Sequence, residues 1–486
     1  MGSLKQQSAK AVAWDFAGKI AGQTVGLVIS IFLARLLSPE DFGLLAMANV
    51  IIALSSSLID MGLGVALIQR KEVSDAHYGS VFFFNITLGL FLTLTLFFCA
   101  PLVAKFYDRE MLLPIVRAMS VLFLLSSIGN VIRTKLRKEL EYGIPTKGRI
   151  ISAVLSGAVG ITMAFCGFGV WSLVIQSLLN PVINNIYLFY MVKWRPKLIF
   201  RWQALKELWG FGFRMFLSGL LDTVYGQIDY LIIGKLFDSS SLGQYYRAKS
   251  FSSYVTHYFS DSLMSVLFPV LSQVANEKER YKSIIYKSFH LLNLGTWFLL
   301  GFLYLTASDI LVLLFTSKWL PAVGYFQIFI LGSFMYPFSA LLVNIISSHG
   351  NSKAFFKLSV LRKVFLTINL LVGFWFGIEG YLYGMVIAYI FAVVLNIYFA
   401  AKEMNVKQRW FYNIIYKYLI MVVGLTVSLY FAGSIVTVTS KVLHLLLFGG
   451  TYTILYFFIS YVFKLEGLSI VKKEILPTII NKWRKK

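Results

Sequence analysis

Residues 31 to 48 read IFLARLLSPEDFGLLAMA, and residues 231 to 248 read LIIGKLFDSSSLGQYYRA. At a constant offset of 200 and without a gap, Arg35 aligns with Lys235, Leu36 with Leu236, Gly43 with Gly243 and Ala48 with Ala248. A second correspondence, at offset 211, pairs Gly169 with Gly380 and the triplet Asn185, Ile186, Tyr187 with Asn396, Ile397, Tyr398. Two separate stretches that repeat at nearly the same spacing mark an internally duplicated chain.

Around the repeat the composition is that of a membrane protein. Of the 486 residues 58% are hydrophobic, 16% aromatic and only 14% charged, with a mean hydropathy of +0.73. A water-soluble fold of that composition would expose far more apolar surface than water tolerates. Apolar runs of spanning length place fourteen candidate helices near 11–36, 42–68, 79–103, 112–132, 149–166, 169–192, 208–236, 242–271, 284–306, 320–347, 356–377, 380–400, 411–433 and 441–463. On this register the repeat maps helix 1 onto helix 7 and helix 6 onto helix 12. Six helices separate the copies, an even number, so the copies run parallel about an axis along the membrane normal. The expected fold is an all-α integral membrane protein with two parallel six-helix lobes around a central cavity and two further C-terminal helices. Its parts are 1–200, 201–403, 404–463 and a basic amphipathic tail, 464–486.

The net charge of +23 does not point to nucleic acid, because the basic residues follow the loops. Links after even-numbered helices, such as RTKLRKELEYGIPTKGR and KWRPKLIFRWQALK, hold together with both termini about 33 Lys and Arg, against about 6 in the other links. Both termini are therefore expected in the cytoplasm, beside anionic membrane lipid. The first apolar segment is too long for a cleavable signal and carries Asp15 and Lys19, so the N-terminus is expected to be retained. Cys99 and Cys166 lie inside apolar runs and read as core residues, with no disulfide or metal role.

Nothing in the chain reads as catalytic machinery. The five histidines are scattered, no large outer loop is present, and no paired carboxylates, Ser/His/Asp set, metal spacing or GxxxxGK[ST] occurs. The expectation is a non-enzymatic transporter with no cofactor; the sequence leaves its energy source open, a proton or sodium gradient being the candidate. A passive scaffold would not need ionisable residues inside the bilayer.

The stretches FLARLLSPEDFGLLAMA, DMGLGVALIQRK, IRTKLRKELEYG and QIDYLIIGKLF with SLGQYYRA resemble the polysaccharide-transporter (Wzx-type flippase) branch of the multidrug/oligosaccharidyl-lipid/polysaccharide exporter superfamily, over residues 1 to about 403. The resemblance implies flipping of undecaprenyl-diphosphate-linked oligosaccharide repeat units across a bacterial inner membrane for O-antigen, capsule or exopolysaccharide synthesis. It also implies a polysaccharide polymerase and glycosyltransferases as partners. A drug or cation exporter of the same superfamily, and a membrane polymerase or ligase, are the alternatives.

Intramembrane polar residues are the candidate site, since each costs free energy unless it meets a wet cavity or a partner. Helix 1 places Asp15, Lys19, Gln23, Gly26 and Ser30 on one face, and helix 7 does the same with Arg214, Ser218, Asp222, Tyr225 and Asp229. Helix 8 aligns Arg247, Tyr254 and Asp261, with His257 one step aside. Lys19, Arg214, Arg247 and Tyr254 are the candidate substrate contacts; Asp15, Asp222, Asp229, His257 and Asp261 are candidates for coupling or gating. The competing readings are an i,i+4 pair for Asp15 with Lys19, helix-locking contacts for Asp222 and Asp229, and a core histidine for His257. Arg247 and Lys249 cannot share a face, and the alignment with Tyr254 favours Arg247 as the phosphate contact. Asp60, in DMGLG, reads as a helix-end residue beside glycines. The segment from Leu465 reads as an interfacial amphipathic stretch interrupted at Pro477.

Overall fold

A backbone in hydrocarbon has no water to bond, so a chain this apolar closes its hydrogen bonds within helices. The computed structural model describes the backbone of residues 4–197, 199–273, 277–348, 352–435, 438 and 440–477, and their side chains except at 4–13, 15, 16, 257–273, 348, 352–354, 434 and 475. Among the described residues there is no strand. The first nine helices are α1 (Leu4–Leu36), α2 (Pro39–Asp60), α3 (Leu63–Gln69), α4 (Asp75–Tyr107), α5 (Leu112–Lys138), α6 (Gly143–Phe165), α7 (Val170–Met191), α8 (Trp202–Leu236) and α9 (Ser239–Gln273). Then come α10 (Lys278–Leu305), α11 (Ala307–Phe315), α12 (Ala322–Ser333), α13 (Tyr336–Ser348), α14 (Ser352–Gly373), α15 (Gly377–Glu403), α16 (Arg409–Ile435), α17 (Lys441–His444), α18 (Gly450–Val462) and α19 (Glu466–Ile470).

Every expected segment is helical. Ten stretches among the described residues are long and apolar enough to cross a bilayer, and one of them, Phe355–Glu403, covers two expected segments. Helices α7, α8 and α9 fall outside those ten. Fourteen crossings therefore remains a proposal resting on helix placement. Segment 42–68 breaks between α2 and α3, where Met61 (φ 41°) and Gly62 (φ 72°) are left-handed. Asp60 closes the break: its carboxylate accepts the Gly64 N–H at 3.0 Å and the Asn130 amide at 2.8 Å, the helix-end role read from DMGLG.

Contacts group the chain into two compact units, Met1–Tyr246 and Arg247–Lys486. In the first, α4 packs on α5, α6 on α1 and α7, and α2 on α5 and α8. In the second, α10 packs on α16 and α19, and α15 on α12, α13 and α14. The grouping leaves α8 with the N-terminal helices, whereas the repeat places it at the head of the second copy.

The repeat is visible as geometry inside the first unit. A Cβ on Gly43 would stand 1.7 Å from the Ser239 carbonyl oxygen, and one on Gly243 would stand 1.8 Å from that of Pro39. Since Pro39 and Ser239 are themselves related by the offset of 200, the two glycines meet across a local two-fold. The preceding caps correspond too. Ser38 and Asp41 form a capping box at the start of α2, and Asp238 accepts the Ser241 N–H at 2.8 Å and its hydroxyl at 2.7 Å at the start of α9.

At the other end of the chain, the segment after Leu465 folds back on the second unit. Glu466 accepts from the Tyr286 hydroxyl, the Tyr418 hydroxyl accepts the Gly467 N–H at 3.2 Å, and Lys287 pairs with Glu474 at 2.7 Å. Residues 478–486 lie outside the described residues.

Candidate functional site

Helix α9 carries two polar faces, and packing within the second unit separates them. Arg247 is 3% exposed, and its guanidinium lies 4.9 Å from the Phe315 ring centroid and 5.1 Å from that of Trp319. That cation–π clamp engages the group expected to meet phosphate. Periodicity alone could not show which face the rings at and just after the end of α11 would take. The other face, Lys249, Ser253 and Thr256, at i, i+4 and i+7, lines a cavity of about 260 Å³.

Arg362 of α14 reaches the same cavity. The lining also presents the hydroxyls of Ser333, Ser339, Tyr336 and Tyr389, and among the described residues it contains no carboxylate. Lys249 lies ten residues into α9 and Arg362 ten into α14, so each is about 15 Å from the start of its helix. The expected segment 320–347 breaks here, α12 ending at Ser333 and α13 starting at Tyr336, both on the lining. A broken helix is tolerated at membrane depth where it borders a cavity, and a helix start favours negative charge. Two cations, a ring of hydroxyls and a helix start together suit an oxyanion such as phosphate.

Met335 is shared with a second cavity of about 560 Å³, which is almost wholly apolar. Its walls come from Trp297 and Leu300 of α10, Ile390 and Val394 of α15, and α16 from Tyr412 to Val427. At 1.5 Å per residue that side of the groove is about 22 Å long.

The remaining expected residues are scattered. Lys19, Arg214 and Asp222 are exposed on α1 and α8. Asp229 is 2% exposed and bonded on α8: Tyr245 donates its hydroxyl to Oδ2, and the Tyr230 N–H donates to Oδ1 at 2.9 Å. Tyr254 is half-buried and outside the cavity lining. The side chains of Asp15, His257 and Asp261 lie outside the described residues.

Two clusters went unnoticed in the sequence. Asp309, 2% exposed, bonds His444 Nδ1 at 2.6 Å and approaches Lys441 at 3.6 Å, tying α11 to α17. His290 stands 3.5 Å from Glu466 and from the Tyr418 hydroxyl. Arg362 itself is in the sequence, but within KAFFKLSVLRK it reads as one more basic loop residue. Its place well inside an apolar run is the signal that would have separated it.

A family model described as "Polysaccharide biosynthesis protein" matches residues 32–324. The chain belongs to this family. Among its polysaccharide-biosynthesis relatives, the succinoglycan biosynthesis transport protein ExoT of Rhizobium meliloti (strain 1021) is 27% identical over 310 residues, 63% of this chain and 62% of that one. The match thus spans less than two thirds of that relative. The lipopolysaccharide biosynthesis protein WzxC of Escherichia coli (strain K12) is 23% identical over 409 residues, 82% of each chain. The solved structure of the lipid II flippase MurJ, in an inward closed conformation, shares the fold, with a TM-score of 0.73 and 14% identity over 93% of this chain and 98% of that one. The resemblance to Wzx-type polysaccharide transporters read from the sequence is borne out by these matches.

Proposed function

We propose that this chain is a flippase that moves a diphosphate-linked oligosaccharide on a polyprenyl lipid from the inner to the outer leaflet of a bacterial cytoplasmic membrane, without catalysing a covalent step. The observation that carries the reading is the meeting, at Met335, of a two-cation hydroxyl-lined cavity with a long apolar groove. A lipid-linked sugar diphosphate has the same two halves. Phosphate contacts fall to Lys249 and Arg362, sugar contacts to Ser339, Tyr336 and Tyr389, and the polyprenyl chain to the groove along α16. Arg247 becomes a residue that positions the α9 face from behind, through Phe315 and Trp319.

Lys19 and Arg214 are further candidate contacts in the first unit, and Asp222 and Asp229 the candidates for coupling to a proton or sodium gradient. Transport proceeds by alternating access, with the substrate received from the cytoplasmic glycosyltransferases and delivered to an outer polymerase. The cationic lining works against the drug- or cation-exporter alternative, whose cavity would be dominated by acids.

The reading is tested in cells by measuring lipid-linked repeat units retained in the inner leaflet. Lys249→Ala and Arg362→Ala should each raise that pool at unchanged protein level. Normal export by the double variant would sink the assignment.

A further inference from the structure

Asp60 closes the break between α2 and α3, yet its carboxylate keeps acceptor capacity. Its donors are the Gly64 N–H, shared between Oδ1 and Oδ2, and the Asn130 amide on Oδ1. A carboxylate can accept about four hydrogen bonds, so Oδ2 has lone pairs to spare. Both donors are neutral, and Arg137, whose charge acts on Asp60, is itself exposed near the end of α5. A carboxylate inside the bilayer costs free energy unless a positive charge reaches it.

Two further side chains converge on this carboxylate. A Cβ on Gly64 would stand 2.9 Å from Asp60 Oδ2 and 3.1 Å from the Thr134 hydroxyl, so the two groups face one point from α2 and α5. Asn85 comes from α4. Thr93 donates to the Ser120 carbonyl at 3.0 Å, and a Cβ on Gly89 would stand 2.2 Å from Ser127 Oγ; the next turn toward the start of α4 therefore brings Asn85 beside Asn130. There it faces the Asp60 carboxyl. It is fully buried, and neither its Oδ1 nor its Nδ2 has a hydrogen-bond partner. Leaving a buried amide unbonded is costly, and the cost disappears if a ligand between Asn85 and Asp60 completes the set. A flip about χ2 turns either end of the amide to that ligand.

Asn85 lies ten residues into α4, and Asn130 eight before the end of α5, about 15 and 12 Å from those helix ends. At the same place α2 ends on Asp60. The C-terminal end of a broken helix favours a cation through its dipole and its last carbonyls. One carboxylate with an amide oxygen, a hydroxyl and backbone carbonyls is an all-oxygen set carrying a single negative charge. It suits a small monovalent ion, whereas a divalent metal calls for more carboxylates. Protonation of Asp60 would not use Asn85 or Thr134.

We propose that Asp60, Asn85 and Thr134 hold one sodium ion in the first unit, with Gly64 and Asn130 fixing the carboxylate. The site deepens the flippase reading by giving a sodium gradient a place to act, and it rests on that reading only for what the bound ion does. Because Asp60 is half-buried, the ion can reach it without unfolding the helix break.

The test measures binding of radioactive sodium to the purified full-length protein in detergent, with choline as the inert replacement cation. Wild type should bind one ion saturably. Asp60→Asn, which still accepts the Gly64 N–H, should abolish saturable binding, and Asn85→Ala should weaken it roughly tenfold, the effect of one contact to a charge. Thr134→Val should weaken it by a smaller factor. Thermal unfolding in choline, where no ion is bound, checks the fold of each variant; should Asp60→Asn fail that check, Asn85→Ala with Thr134→Val carries the test.

Absence of saturable sodium binding by wild type overturns the inference, as does undiminished binding by a folded Asp60→Asn variant or by Asn85→Ala with Thr134→Val. Sodium binding that follows these residues, in a protein that then fails to transfer a lipid-linked diphosphate, would count against the proposed function and leave this inference standing.

Discussion

Replacing Gly43 by alanine tests the two-fold contact that the repeat produces. A Cβ at 1.7 Å from the Ser239 carbonyl oxygen must retreat by about 1.3 Å to reach the 3.0 Å below which such contacts essentially never occur. The obstacle is backbone, so no side chain can swing aside and α2 must part from the start of α9. Overpacking of this kind costs about 1–3 kcal/mol, while alanine in a helix recovers about 1 kcal/mol over glycine. The net expectation is a loss of about 0–2 kcal/mol, which is about 1–3 kcal/mol worse than the same substitution at an open helical site, and the same for Gly243→Ala. Because one separation relieves both clashes, the double variant should lose clearly less than the sum. Gly219→Ala supplies the control, since a Cβ there would meet nothing within 4 Å; it should be neutral or slightly stabilising. Denaturant unfolding in detergent micelles measures all four proteins. A Gly43→Ala variant as benign as Gly219→Ala, or a double variant that is strictly additive, would refute the close-approach argument.

Arg247→Ala should lose stability by about 1–2 kcal/mol through its two ring contacts, with any transport defect following the protein level; a transport loss at full protein level would return Arg247 to the site. Topology is checked by single cysteines in a background lacking Cys99 and Cys166: one at Glu110 should react with an impermeant outside reagent and one at Glu141 should not. Labelling of Glu141 from outside would reverse the orientation. Burial works against ionisation of Asp238, but the bonds from the Ser241 hydroxyl and N–H outweigh it and hold the carboxyl below its usual range. A depressed folded value means stability that is present above about pH 4 and lost as pH falls through the folded value. Asp238→Asn, which keeps a capping acceptor, should flatten that acid step; an unchanged pH profile would remove Asp238 from the cap.

Much of the fold was legible because it rests on local pattern. Apolar runs fixed by bilayer thickness located every long helix, leaving out only short ones such as α11 and α19, and the offset of 200 anticipated that Gly43 and Gly243 stand in equivalent places. DMGLG correctly suggested a helix end at Asp60. The site was less legible because it depends on which of two polar faces a helix turns to its neighbours. Arg247 and Lys249 are both consistent with helical periodicity, and only the rings of Phe315 and Trp319 decide between them. Arg362 was hidden for a different reason: in KAFFKLSVLRK a loop-like basic run continues into a helix. Asp309 with His444, 135 residues apart, is a tertiary pairing that no local pattern announces.

The central claim is that the second unit carries a lipid-linked diphosphate by its phosphate and its tail together. Purified protein in proteoliposomes, given a fluorescent polyprenyl-diphosphate oligosaccharide in one leaflet, measures this by the rate at which an enzyme outside gains access to the label. Wild type should transfer the diphosphate-linked lipid. Lys249→Ala with Arg362→Ala should slow transfer roughly tenfold or more for each cation removed, and a free oligosaccharide without the lipid should not move. Equal rates for wild type and the double variant, or transport of the free sugar, would contradict the account.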